Sequence, residues 1–321
     1  MAYQAGYKIH GIQRLNSNHK NNNGLSSLKH LNMIEKINFH QVDLMDTSKI
    51  SDLLLEIKPT YFAHLGSQSN VQKSYNNKNL TMESNFVLSK NIINVIKNIS
   101  KETIIFFPSS ATIYEGYKNT TVNEQTVPKP KTNYSKSKYL TQEYIKKSVE
   151  DDEMQINTGI MFSHESALRK SEFFSKKIVS FLVNYKKTNI SELKVGDLSI
   201  ERDIGYAPDF VNAIFKIMQQ NDKDEYIVST NSLTKLSYFV ETCLNILEID
   251  YEVEMNGSEV NYIDKKNNFK FITSSKNKYR KFDLRGVKGD NSKIQTNLGW
   301  KPTKTVENIC KIMIDHELNN E

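Results

Sequence analysis

Short apolar runs of strand type alternate with longer stretches of helical period along the first half of the chain. That alternation limits the possible folds more than any other feature. Residues 8–12, 37–42, 61–65, 103–108 and 157–162 predict strands. Between them, residues 47–57, 81–99 and 134–149 carry apolar side chains at helical spacing and predict helices. Strand, helix, strand in succession calls for a parallel sheet covered by helices on both faces, with right-handed crossovers. The chain has 321 residues, enough for one large α/β domain or two lobes. After about residue 160 the pattern loosens. Short strands near 193–195 and 226–229, helices at 209–220 and 235–247, a polar, irregular tail from about 250 and a last helix at 305–318 suit a smaller second lobe.

The expected fold class is therefore α/β, a doubly wound parallel sheet with a small carboxy-terminal substrate lobe. In such sheets ligands sit at the carboxyl ends of the strands. The chemistry should follow Val42, Leu65, Pro108 and Phe162.

Lys and Arg number 43 against 37 Asp and Glu, a net charge of +6 spread along the chain and mostly lysine. This reads as a solvated surface with at most a local basic cleft, and no nucleic-acid partner is expected. No apolar run is long enough for a membrane span, and the amino end lacks the pattern of a signal peptide. A cytoplasmic protein with no membrane partner is expected. Cys243 and Cys310 are expected as buried free thiols, and the seven histidines include no pair at metal-ligand spacing, so no metal is expected.

One constellation carries chemistry. Strand 103–108 runs into Ser109-Ser110-Ala111-Thr112-Ile113-Tyr114, and Tyr134 and Lys138 follow in TNYSKSK. A spacing of four puts Tyr134 and Lys138 on one helix face. A phenol is a poor base near neutral pH, and a nearby ammonium favours its phenolate. A serine hydroxyl at the strand end can share a substrate hydroxyl with the tyrosine. Together they form a proton-transfer unit for oxidising a secondary alcohol or reducing a ketone, with hydride carried by a nicotinamide.

With these residues in place, the sequence resembles the extended short-chain dehydrogenases/reductases, and within them the GDP-mannose 4,6-dehydratase family. The resemblance rests on YKIHGIQR, VDLMD, IKPTYFAHLGSQSNVQKSY, SSATIY, NYSKSK, GIMFSHES, VGDLSIERDIGYAPDFV, YRKFDLRGVKGD and LGWKPT. It implies a Rossmann-like cofactor domain at 1–160, returning at about 205–232, and a sugar-nucleotide lobe at 161–204 and 233–321. It implies NADP as cofactor and a GDP-sugar as substrate. It also implies an oligomer, a homodimer or homotetramer or a pairing with a full-length paralogue.

The resemblance assigns roles residue by residue. Arg14 would meet the 2′-phosphate of NADP, and Asp43 and Leu44 would flank the adenine. Leu65, Gly66, Ser67, Gln68 and Ser69 would form the loop beside the pyrophosphate and ribose, with Leu80 as a further cofactor contact. His164 and Arg169 would lie toward the nicotinamide. Tyr134 would be the base, Lys138 would hold the tyrosine and the ribose, and Ser110 would stand in for the family's threonine. Arg202 and Arg280 would meet the GDP diphosphate, and Asp283 the nucleoside. Plainer roles stay open: Arg14 as a solvated strand end, His164 as a core histidine, Arg202 paired with Asp203, and Asp43 as a helix cap.

Two departures qualify the resemblance. The family opens with a strand and a G-x-x-G-x-x-G turn that receives the pyrophosphate. Here Met1–Gly6 matches only the end of the following helix, and none of the 12 glycines has that spacing. The expectation is a Rossmann-like fold whose first strand and glycine-rich loop are missing, a sequence starting at an internal Met, and weak or absent NADP binding. Second, Thr112 stands where the dehydratases carry a glutamate that removes the C5 proton, and Ser163 replaces an asparagine. A hydroxyl is a poor substitute for that carboxylate. The function expected is thus GDP-mannose 4,6-dehydratase-like hydride transfer at C4 of a GDP-hexose. The alternatives are a GDP-sugar 4-keto reductase or 4-epimerase, or a non-catalytic truncated paralogue.

Overall fold

The computed structural model describes residues 1–13, 25–188, 191–220, 223–257, 259–279 and 282–319. Its chain divides into two compact units. The first comprises Met1–Ser109, Thr132–Gly159 and Ile214–Glu225; the second comprises Ser110–Lys131, Ile160–Ala213 and Tyr226–Glu321.

The first unit starts with strand β1 (Ile9–Gln13), helix α1 (Ser26–His30), β2 (Ile37–Gln41), α2 (Thr47–Ile57) and β3 (Tyr61–Ala63). Then come α3 (Val71–Asn76), α4 (Lys78–Met82), a π-helical turn (Glu83–Val87), α5 (Leu88–Ile99) and β4 (Ile104–Ser110). β1 and β2 form a separate parallel pair, from Ile9 opposite Ile37 to Gln13 opposite Gln41. β3 runs parallel to β4, Tyr61 opposite Ile104. After β5 (Lys118–Val122), described below, follow α6 (Asn133–Asp152) and β6 (Ile156–Met161), which lies beside β4.

Local chemistry explains the helix ends. Asp46 accepts the Lys49 backbone N–H and opens α2, and Lys58 closes it in the left-handed conformation. Thr132 and Ser135 cap α6 reciprocally. The apolar faces Ile50, Leu53 and Leu54 of α2 and Ile92, Ile93 and Ile96 of α5 pack with Ile105, Phe107, Ile145 and Ile156 into one core. Burial of such faces is the main favourable term holding these helices to the strands.

The second unit contains β5, then β7 (Ser163–Glu165), α7 (Phe174–Thr188), β8 (Leu193–Val195), β9 (Glu201–Arg202), β10 (Ile204–Tyr206) and most of α8 (Ala207–Met218). β11 (Glu225–Val228) leads to β12 (Thr234–Lys235), α9 (Leu236–Ile246), β13 (Tyr251–Asn256), β14 (Glu259–Asp264), β15 (Phe269–Ser274), β16 (Arg285–Gly289), α10 (Ser292–Leu298) and α11 (Val306–Asn319). β13, β14 and β15 form an antiparallel meander, with β8 added in parallel. β16 pairs with β5, β10 with β7 and β12 with β9. The core lies among α7, α9 and α11, where Ile178, Leu182, Phe239 and Met313 are fully buried. Cys243 and Cys310 are free and buried there, and the Cys310 thiol donates to the Phe239 carbonyl at 3.9 Å.

The fold is α/β with parallel pairing, as the alternation implies. Three local expectations change. The single helix over 81–99 is instead α4, a π turn and α5. The tail after 250 is ordered as the meander rather than irregular. Its strand signal is the alternating burial along β14, where Val260, Tyr262 and Asp264 are buried and Glu259, Asn261 and Ile263 between them are half-buried. The helix α7 was missed although Ile178, Val179, Leu182 and Val183 carry helical spacing. Among the described residues, no helix is long and apolar enough to cross a membrane.

Candidate active site

In the first unit the site is built around the loop that leaves β3. Lys138, on α6, is buried, and its ammonium donates to the Pro108 carbonyl at 2.9 Å and to Ser67 Oγ at 3.3 Å. Burial lowers its pKa from 10.5 to about 8. Tyr134 lies one turn earlier on the same helix and is also buried, with the Lys138 nitrogen 6.0 Å from its ring centroid. Ser109 faces the other way from its neighbour and donates to Gln142 Oε1 at 2.9 Å.

The loop itself is clamped. The Gln68 N–H donates to Asn85 Oδ1 at 2.8 Å, and Asn85 Nδ2 donates back to the Gln68 carbonyl at 3.1 Å. Leu44 lies beside Gly66, its Cδ1 3.5 Å from where a Cβ would stand. Thus the Asp43-Leu44 pair and the Leu65–Ser69 loop meet, with Ser69 at the exposed end of the loop. Asp43 accepts the Met45 N–H, whereas Asp46 caps α2, so the capping role open for Asp43 belongs to its neighbour. Leu65 and Leu80 are 60% and 58% exposed. His64 is buried at the end of β3, its ring centroid 5.0 Å from that of Phe107 and its Nε2 without a hydrogen-bond partner. Burial first, and the Lys138 charge second, push its pKa from 6.5 down to about 3.

In the second unit, Ser110 sits in extended conformation before the one-turn helix Ala111–Tyr114. Its Oγ accepts both the Thr112 N–H at 3.3 Å and the Thr112 hydroxyl at 3.0 Å. On β7, Ser163 is half-buried, and the His164 Nδ1 lies 2.8 Å from the Phe162 carbonyl. A carbonyl only accepts, so Nδ1 carries the proton and Nε2 is the basic nitrogen. The ring also packs against Phe210, and burial lowers its pKa.

Arg169 stands 3.3 Å from Glu165 and over the Phe173 ring at 3.7 Å. Burial raises the Glu165 pKa more than Arg169 and Ser175 lower it. Arg202 donates to Asp283 at 2.6 Å, and its Nε is buried without a hydrogen-bond partner. The local pairing open for Arg202 does not occur. Asp203 instead accepts from the Thr230 N–H and hydroxyl, both at 2.7 Å, and from the Asn231 N–H at 3.1 Å. The sequence reading assigned Arg202 and Asp283 to one ligand without foreseeing that they bind each other. Arg14 and Arg280 lie outside the described residues.

The first unit's residues fit a nicotinamide dinucleotide. An ammonium has three protons, and only two of those on Lys138 have acceptors among the described residues. Gln68 Oε1 is buried without a hydrogen-bond partner, and exposed leucines flank the loop. Asn85 and His64 were not singled out by sequence reasoning. His64 lies inside the quoted HLGSQSNV stretch, but Asn85, in an asparagine-rich chain, gave no signal.

The GDP-mannose 4,6 dehydratase family profile matches residues 1–313. The chain belongs to the GDP-mannose 4,6-dehydratase family. Its relatives include the GDP-mannose 4,6-dehydratase of Vibrio cholerae, 26% identical over 98% of this chain and 88% of that protein. The GDP-mannose 4,6 dehydratase 2 of Caenorhabditis elegans is 25% identical over 98% of this chain and 83% of that one. Among solved structures, the UDP-glucose 4-epimerase of Thermotoga maritima superposes with a TM-score of 0.80 at 18% identity, covering 99% of this chain and 93% of that one. The Pseudomonas aeruginosa protein RMD, solved with NADPH, gives 0.76 at 16% identity, covering 98% of this chain and all of that one. At these identities the structures establish the fold. Family membership and fold agree with the resemblance carried by HLGSQSNV, NYSKSK and FSHES.

Proposed function

We propose that this member of the GDP-mannose 4,6-dehydratase family is a sugar-nucleotide enzyme that works at C4 of a GDP-linked hexose with NADP. The observation that carries this reading is the buried Lys138 ammonium, one helical turn from Tyr134 and hydrogen-bonded to Ser67 and the Pro108 carbonyl. The Vibrio and Caenorhabditis relatives support the substrate class by name, and the NADPH in RMD supports the choice of cofactor.

Lys138 favours the phenolate of Tyr134 and makes it usable as a base near neutral pH. Tyr134 takes the proton of the 4-hydroxyl. A bound nicotinamide would accept the hydride from C4 and later return it. Lys138 holds the adjoining ribose with its remaining proton, while Asp43, Leu44, Leu65, Gly66, Ser67, Gln68, Ser69 and Leu80 bind the rest of the dinucleotide. His164 and Arg169 serve its nicotinamide end. Ser110 donates to the oxygen at C4. Arg202 and Asp283 open to receive the nucleoside diphosphate, and Ser163 positions the sugar. We assign the cofactor to residues 1–160, with a return at about 205–232, and the sugar nucleotide to 161–204 and 233–321.

One observation favours a second reading. The Thr112 hydroxyl donates to Ser110, so it is committed to the C4 oxygen donor and is no base for C5. Hydride transfer at C4 would then proceed without water loss, as in a 4-keto reductase or 4-epimerase. Mass spectrometry of GDP-mannose incubated with the chain and NADP separates the two. The dehydratase product is lighter by one water, and an epimerised product keeps its mass. Thr112→Glu is expected to increase water loss, and Tyr134→Phe to abolish either reaction. If GDP-mannose is unchanged and NADPH fails to bind, the catalytic reading fails and a non-catalytic paralogue stands in its place.

A further inference from the structure

The π-helical turn Glu83–Val87 interrupts an otherwise continuous helix. Such turns are rare and recur at functional sites. The buried side chain of this turn is Asn85, which is 2% exposed. It makes three hydrogen bonds beyond its own helix. It accepts the Gln68 N–H, donates to the Gln68 carbonyl, and donates to Ser137 Oγ at 3.0 Å. Ser137 Oγ in turn donates to the Tyr134 carbonyl at 2.7 Å. The Asn85 carbonyl, displaced by the wide turn, accepts from Ser89 and Thr141, and Thr141 belongs to α6.

We infer that Asn85 is a positioning residue that locks the backbone of the 65–69 loop in register with the helix carrying Tyr134 and Lys138. The amide offers Gln68 an acceptor and a donor on two separate atoms and keeps a second N–H for Ser137; a carboxylate has no donor and a hydroxyl has a single proton, so neither makes all three bonds. The chain from Asn85 through Ser137 to Tyr134 is a run of aligned donors, in which each bond strengthens the next. A shift of the loop is thereby felt at the turn of α6 that bears the tyrosine. Lys138 closes the circuit from the other side through Ser67. The function of this lock, fixing a dinucleotide against its catalytic pair, rests on the reading above; the lock itself does not.

Amide hydrogen exchange, followed residue by residue on the free chain, tests it. Asn85→Leu should speed exchange at the Gln68 amide by about tenfold or more. The Ile105 amide, which donates to Gln155 in the sheet, should keep its protection. Ser137→Ala should also speed Gln68 exchange, by a smaller factor, although Gln68 bonds to Asn85 and not to Ser137. Unchanged Gln68 exchange in Asn85→Leu overturns the inference, as does an equal rise at Ile105, which would mean general loosening. A Ser137→Ala variant with wild-type exchange at Gln68 overturns the link to α6. An NADPH titration of the same proteins separates the two claims. Weaker binding in Asn85→Leu supports both, whereas no binding to wild type with the exchange pattern intact removes the dinucleotide reading and leaves the lock standing.

Discussion

The buried Lys138 of the first unit and the partly buried arginines of the second are held in opposite ways. In the first, Lys138 is held by neutral acceptors and His64 is kept uncharged by burial. In the second, cations have carboxylate partners: Arg202 has Asp283, Arg169 has Glu165 and Arg285 has Asp197 at 3.0 Å. A desolvated, unpaired ammonium is costly in the folded chain and gains when a polar ligand or a phenolate arrives. A paired guanidinium already has its counter-charge, so an arriving diphosphate must compete with the carboxylate in place. The first arrangement suits a group that must act on its neighbour. The second suits one that must wait for the right ligand.

The largest expected effect belongs to His64. Its folded pKa of about 3 lies below the ordinary 6.5, so the unfolded chain binds a proton in that interval that the folded chain refuses. Stability is therefore lost as pH falls from 6.5 toward 3, by about 3 kcal/mol from this group at pH 4. His64→Leu places an apolar side chain beside Phe107 and should flatten that slope. Urea midpoints at pH 7, 5.5 and 4 measure it. An unchanged acid slope in the variant would show that the imidazole is not held neutral and would weaken the contrast between the units.

The second unit is tested by breaking its pair. Asp283→Ala leaves the Arg202 guanidinium partly buried and without its carboxylate, and should cost about 2 kcal/mol. Arg202→Met should cost a similar amount. The double variant should be less destabilised than the sum by about 1–2 kcal/mol, because neither charge is then stranded. Additive costs would show that the 2.6 Å contact is not a working pair.

These contrasts were only partly legible in the sequence. The alternation of strand and helix gave the α/β class because helical and strand periods are local properties of side-chain order. Tyr134 and Lys138 were legible for the same reason, being four apart on one helix. The pairing of Arg202 with Asp283 spans 81 residues and no local period encodes it. Asn85 was hidden because its role depends on the π turn, and a π turn leaves no periodic mark that distinguishes it from α-helix. The meander after 250 was hidden because one of its faces is solvated and reads as loop.

Lys138 gives the smallest effect and the most informative sign. Its folded pKa of about 8 lies below 10.5, so the cost of its burial is fully present below pH 8 and is relieved as pH rises from 8 to 10.5. That cost is about 3 kcal/mol at neutral pH. Lys138→Met removes it but leaves the Pro108 carbonyl without its donor, which returns about 1–2 kcal/mol. The variant should therefore be more stable than wild type by about 1 kcal/mol at pH 7 and lose that advantage by pH 10, as read from urea midpoints at the two values. Under the proposed function it should also be inactive, since nothing then favours the Tyr134 phenolate. A lysine whose removal stabilises the chain and ends its chemistry is held for function at the expense of the fold. If Lys138→Met is instead strongly destabilised at pH 7, the ammonium is a structural tie between Ser67 and Pro108, and the two units handle charge alike.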